Sequence, residues 1–406
     1  MISKSMALGL FLCFSILQLH SQILTKEDSL AAGLQMSGKT TVISGYGECM
    51  VSYNNGLQTA NASVTRFVTF FGHRFSKNIT LFSELELENA KVSSNSLGGE
   101  FSLEQMFLKF DLNRSNYIVA GLFLPRIGMI NENHLPTTYN GNNRHFVETY
   151  LLPATWREIG VGLYGKFDRL PGFNYYVGIT NGLNSGGLQR KSGIRDARFE
   201  GNNSTASNIA LSAAGLYYIR DFRIQASAYY GGSTGVNPKQ ADSLQLNSGL
   251  FGTPVALTEM NVQYQGDRLG FKVLGTLVSI PDAQAINLAY ASNPAELMGG
   301  ALAEVSYQVL DTKDFRSKKL ILFGRYEWFD LNYKMPVNGI RDNSLNQQFL
   351  IAGINYKPAV GVSIKADVVN QITGTPNEAF NLNPFPALPR YFQNNWFVNL
   401  GFGYNF

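Results

Sequence analysis

Apolar and polar residues alternate with a period of two along most of this 406-residue chain. In ITLFSELELE, Ile79, Leu81, Leu85 and Leu87 fall on one side, and Phe82, Glu84, Glu86 and Glu88 on the other. FRIQASAYY separates Phe222, Ile224, Ala226, Ala228 and Tyr230 from Arg223, Gln225 and Ser227. ALAEVSYQV and VSIKADVVNQ divide the same way, placing Glu304, Lys365 and Asp367 opposite an apolar set. Side chains of a strand point alternately to its two faces, so this pattern predicts strands; helical spacing fits none of these runs.

About sixteen such segments are predicted, at 39–53, 61–74, 79–91, 100–112, 116–125, 156–167, 172–182, 207–219, 222–232, 254–265, 270–280, 297–310, 319–331, 345–356, 361–373 and 393–406. Each has about the length that crosses a bilayer when tilted. Their connections sort by parity. Residues 75–78, 113–115, 168–171, 220–221, 266–269 and 357–360 are tight turns, whereas those at 92–99, 126–155, 183–206, 233–253, 281–296, 332–344 and 374–392 are longer Gly/Asn/Pro-rich loops. The links 311–318 and 54–60 depart from the trend. A soluble sandwich has no reason to sort its loops so, but an outer-membrane barrel has short turns at one rim and long loops at the other. The expected fold is an all-β transmembrane antiparallel barrel. In lipid every backbone N–H and C=O must be paired internally, so the sheet closes on itself.

The chain opens on MISKSMALGLFLCFSILQLHSQ, with Lys4 before an apolar run and Ser21 after it. This is the layout of a secretory signal peptide, expected at 1–21. Residues 22–38 are expected as a short periplasmic segment too small for a plug, and 39–406 as the barrel. Cys49 alone follows the signal, so no internal disulfide is expected. The net charge of +4 is mild and no basic block stands out, which disfavours nucleic acid as a partner. No HExxH, CxxC, GxSxG or Walker-type run occurs, and neither a cofactor nor a metal is expected.

The alternation assigns the charged wall of the lumen to Glu84, Glu86, Glu88, Lys166, Arg223, Glu259, Lys272, Glu304, Arg325, Glu327, Lys365 and Asp367. A charge facing lipid costs about 2–4 kcal/mol near the midplane. Aromatic residues near strand ends (Tyr175, Tyr176, Tyr217, Tyr218, Tyr229, Tyr230, Tyr326, Trp328, Trp396, Tyr404) are expected to form interfacial girdles.

The last strand, WFVNLGFGYNF, carries Trp396, Val398, Leu400, Phe402, Tyr404 and Phe406 on one face and ends the chain. It resembles the closing strand of Gram-negative outer-membrane barrels, which the barrel-assembly machinery reads as an insertion signal. The resemblance implies that role for Phe402, Tyr404 and Phe406. The sixteen-segment layout is similar to that of general porins. EQMFLKFDL (104–112), AGLFLPRIGMINENHLP (120–136), PATWREIGVGLYGKF (153–167) and FGRYEWFDLN (323–332) resemble the phosphate-selective porin O/P-like family. Phosphate-specific members line the pore with arginines and lysines, whereas the inward positions here are mixed in sign. By resemblance to porins, trimerisation is expected, and the third long loop, 126–155, is expected to fold into the lumen and narrow it.

That loop carries Arg126, Glu132, His134, Arg144, His145 and Glu148, with Arg157 and Glu158 just after it. Opposed charges across a narrow throat would sort solutes; the bland alternative is that they pair with one another and pin the loop. His134 and His145 with Glu132 or Glu148 lack metal-ligand spacing. The expected function is passive diffusion of small hydrophilic or anionic solutes, phosphate-like ones among them, through the outer membrane of a Gram-negative bacterium. The protein is not expected to be an enzyme. Two alternatives stand beside this: a sealed barrel acting in binding or adhesion, and a barrel-embedded hydrolase using His73 with Ser63 or Ser76.

Overall fold

The computed structural model describes residues 40–90, 99–310, 318–380 and 392–406. The expected signal peptide, the 22–38 segment and nearly all of the 311–318 link lie outside the described residues. Sixteen strands form one closed antiparallel barrel, β1 pairing with both β2 and β16. They are β1 Thr41–Asn54, β2 Thr59–Arg74, β3 Ile79–Glu88, β4 Phe101–Asp111, β5 Asn116–Phe123, β6 Glu158–Lys166, β7 Phe173–Asn181 and β8 Ile209–Ile219. The series continues with β9 Phe222–Gly231, β10 Val255–Gln265, β11 Leu269–Ser279, β12 Leu297–Gln308, β13 Lys319–Lys334, β14 Asn346–Ala359, β15 Val362–Thr373 and β16 Asn394–Asn405. Every predicted segment is a strand, with ends shifted by a few residues at most.

Two-residue turns such as Arg220–Asp221 leave neighbouring strands no choice but antiparallel pairing. The closing pair runs from Tyr46 opposite Asn405 to Asn54 opposite Phe397. Two further backbone bonds, between Gly45 and Phe406 at 3.0 and 3.2 Å, extend it to the last residue. No sheet edge remains to be solvated, as a bilayer interior requires.

The alternation resolves into two faces. Val51, Leu85, Val177, Met260, Leu277, Val305 and Leu400 are all exposed on the outer wall. An apolar belt of this extent is out of place in water. Glu84, Glu86, Glu259, Glu304, Arg325, Glu327, Lys365 and Asp367 are buried inside, and Glu88, Lys166, Arg223 and Lys272 are partly buried on the same inward face. Among the described residues, no helix is long and apolar enough to cross a membrane.

Two expectations are corrected. Tyr176 and Tyr229 are buried inside, and Tyr218 packs with Tyr176; their parity opposes that of the outward Val177 and Tyr230, so they leave the girdle. His73, the histidine of the hydrolase alternative, shares the outward parity of Phe71 and so faces away from the lumen, and its Nδ1 lies 2.8 Å from Thr41 Oγ1.

Candidate functional site in the barrel lumen

The segment from β5 to β6 runs through the inside of the barrel. Gly128 N–H donates to Glu259 on β10, and Gln225 on β9 donates to Gly128 C=O at 3.0 Å. Further along, Thr137 Oγ1 donates to Asn405 on β16 at 2.6 Å, and its carbonyl accepts from Lys357 on β14 at 2.8 Å. Tyr139 donates to Glu48 on β1 at 2.7 Å, and Asn140 to Glu304 on β12 at 2.9 Å. Asn142 donates twice to Asp367 on β15, both at 2.7 Å, while Val147 N–H donates to Glu327 on β13 at 2.8 Å. A loop bonded to strands from all round the wall crosses the lumen.

The packing is asymmetric. Residues 146–150 form helix α1, too short to hold by itself. It is held by burial: Ile127, Met129, Val147, Leu151, Leu152 and Trp156 join the inward Leu257, Leu274, Leu302, Phe323 and Phe349 in one apolar cluster. A second cluster of Val119, Phe123, Tyr164 and Tyr176 fills the wall beneath β5–β8. The inward face is therefore apolar beneath α1 and the 127–129 stretch, and polar where residues 137–142 bond to it. Side chains at Gly401 and Gly403 would meet Asn142 Oδ1 at 2.5 Å and Pro136 Cβ at 2.6 Å. The closing strand carries glycines inward because the loop occupies that space.

The polar side surrounds a cavity of about 300 Å³, lined by Glu48, Arg66, Glu86, Arg144, Arg157 and Arg198 among others. Arg66 pairs with Glu48 at 2.7 Å and Glu86 at 3.5 Å. A smaller cavity of about 90 Å³ touches Thr138, Asn140, Lys272 and Lys357 on the far side of the loop tip.

The loop's charged residues do not converge on one point. Arg126 pairs with Glu132 and lies 5.2 Å from the Tyr164 ring centre; Glu132 also takes Arg223. His134 Nε2 lies 3.3 Å from Glu84 Oε1. His145 Nδ1 lies 2.5 Å from Glu148 Oε2, whose other oxygen accepts Met129 and Ile130 N–H. Burial, with the nearby Arg325 and Lys272 charges, holds His145 well below its ordinary value; burial pushes Glu148 up to about 7. Arg157 pairs with Glu200 at 2.8 Å. Glu158 is buried beneath Trp156, Thr180 and Tyr229, all of which donate to it. Arg325 lies between Glu304 at 3.3 Å and Glu327 at 2.9 Å. Lys365 donates to Gly141 C=O at 2.8 Å.

Arg144 differs from these. It is buried, lines the larger cavity and has no salt bridge among the described residues, and its Nε and one terminal nitrogen lack hydrogen-bond partners.

The alternation misses Glu48, Arg66 and Glu104. Two bulges explain the last two: the register of β1 on β2 shifts after Glu48, leaving Thr65 unpaired, and that of β3 on β4 shifts after Glu84, leaving Glu104 unpaired. A bulge puts an extra residue into a strand and breaks the period of two.

No family model matches the chain. It is 27% identical over 348 residues to an uncharacterized protein of Aquifex aeolicus (strain VF5), covering 82% of this chain and 76% of that one. Among solved structures it resembles the Salmonella typhi OmpF complex with daunomycin, at TM-score 0.53 and 11% identity, over 90% of this chain and 97% of that one. The outer membrane channel DcaP of Acinetobacter baumannii matches at TM-score 0.52 and 12% identity, over the same shares. An anion-selective porin from Comamonas acidovorans matches at TM-score 0.51 and 9% identity, over 90% and 99%. At these identities the likeness is one of fold.

Proposed function

We propose that this barrel is an outer-membrane porin, in which small hydrophilic or anionic solutes diffuse passively past the tip of loop 126–155. Residues 1–21 direct export. The four segments resembling the O/P-like family support a place in that wider group, and the fold it shares with an anion-selective porin fits the same reading. The observation that carries it is the polar loop tip, residues 138–144, standing between two polar cavities, with Arg144, which has no ion pair among the described residues, lining the larger one. Buried guanidinium N–H groups without a hydrogen-bond partner are costly unless a solute oxygen or water meets them. Mixed-sign neighbours argue against phosphate as the sole solute.

A second reading is a sealed barrel that binds at its surface, supported by the density of bonds stitching the loop to the wall. One recording separates them. The purified barrel in a planar bilayer should give stepwise openings in KCl, with a reversal potential shifted by Arg144→Gln. Silence at every voltage would favour the sealed barrel. Hydrolysis by His73 with Ser63 is disfavoured, because the two lie ten residues apart on β2, roughly 33 Å at 3.3 Å per residue.

A further inference from the structure

Glu84 on β3, Glu104 on β4 and His134 in loop 126–155 are buried together, and one ligand-capable atom from each lies within 4.8 Å of the others. These residues come from three different elements, so their meeting is a product of the fold. The β4 bulge is what creates it. Gln105 pairs in register with Glu84 and its side chain donates to Glu84 Oε2 at 2.7 Å, while the extra residue Glu104 is also turned inward. Tyr46 donates to Glu104 Oε2 at 3.4 Å, leaving Oε1 buried without a partner. The outer oxygens are thus held by neighbours, as ligands usually are by a second layer of hydrogen bonds.

Charge points the same way. Carboxylates Glu48, Glu84, Glu86 and Glu104 outnumber the guanidinium groups Arg66 and Arg144 that face them, with Lys365 also acting on Glu48. A buried carboxylate oxygen without a partner is strongly unfavourable unless a cation or donor meets it. The 3.3 Å between His134 Nε2 and Glu84 Oε1 is close to the spacing of adjacent ligands in a tetrahedral site with bonds of about 2.0–2.2 Å.

We propose that Glu84, Glu104 and His134 bind one divalent transition-metal ion of the zinc class, which accepts imidazole and carboxylate ligands. The ion pins the loop to the β3–β4 wall and adds positive charge where carboxylates outnumber guanidinium groups. The larger cavity, whose lining includes Glu86, the next inward residue on β3, provides the way in.

The test uses the full barrel in detergent, stripped with chelator and titrated with ZnCl₂ by calorimetry at pH 7.5. One ion per barrel is expected, bound at least roughly ten-fold more weakly in Glu104→Gln and in His134→Ala, and unchanged in His73→Ala on the outer face. Heat-modifiable gel migration checks that each variant is folded. Cobalt(II) added to the unaltered barrel should give the visible bands of a four- or five-coordinate ion. No binding, only the weak pale-pink absorption of an octahedral ion, or equal affinity in folded Glu104→Gln and His134→Ala overturns the proposal.

Discussion

Arg144 and Arg126 sit in one loop and carry one charge each, yet their surroundings separate them. Arg126 is neutralised by Glu132 and covered by Tyr164, whereas Arg144 faces the cavity without an ion pair among the described residues. In a tenfold KCl gradient, Arg144→Gln is therefore expected to shift the reversal potential towards cation preference, and Arg126→Gln to shift it less. Equal shifts would mean that the field in the throat does not depend on local pairing. Glu148 makes a separate prediction. Its folded-state value is raised to about 7, so the folded barrel holds a proton that the unfolded chain gives up near pH 4.5. That contribution is present at low pH and is lost as pH rises through 7. Glu148→Gln keeps an acceptor for Met129 and Ile130 N–H. It should flatten the pH dependence of unfolding between pH 5 and 7 by up to one proton, about 1.4 kcal/mol per pH unit. His145, lowered in the folded state, acts oppositely: protonation of the unfolded chain below about 6.5 weakens the fold. His145→Gln should remove that acid-side loss.

At the scale of elements, the loop and the closing strand are one design. The inward glycines of β16 read in the sequence as small lumen residues; in the fold they are the floor on which Pro136 and Asn142 rest. Gly403→Leu should push the tip off the wall while leaving β16 paired, raising single-channel conductance several-fold in the direction that deleting 135–143 would. Unchanged conductance in both would place the narrowest point elsewhere. The strands were legible because lipid on one side and polar groups on the other impose alternation at every position. The loop's partners were not, since Asn142–Asp367 and Tyr139–Glu48 join residues 225 and 91 apart with no local pattern. Nor was Glu104, because a bulge shifts the parity on which inward assignments rest. The apolar inward residues Leu257, Leu302 and Phe349 look like departures from a polar lumen until α1 is seen lying on them.

For the whole molecule the decisive quantity is closure. Each strand crosses only because its two neighbours take up its backbone groups, so a defect in the β16–β1 seam exposes two edges at once. Outward Leu400, at the middle of β16, is 58% exposed, and inward Asn399 beside it is 2% exposed. If the outer wall meets hydrocarbon, Leu400→Lys should cost about 2–4 kcal/mol in a bilayer. In water-soluble conditions the same change on so exposed a site should be within about 0.5 kcal/mol. The comparison is made by denaturant unfolding of the two proteins in lipid vesicles, read from tryptophan fluorescence. Asn399→Asp, one residue away but facing Asp367, should be destabilising for a different reason: it sets a second carboxylate where Asn399 now donates at 2.7 Å. Only the first penalty depends on lipid, and it should shrink when Lys is moved along β16 from position 400 to Tyr404 near the rim, where a long side chain reaches the headgroups. A penalty equal at both depths would mean that the belt does not span a membrane, and the proposed porin function would fall with it.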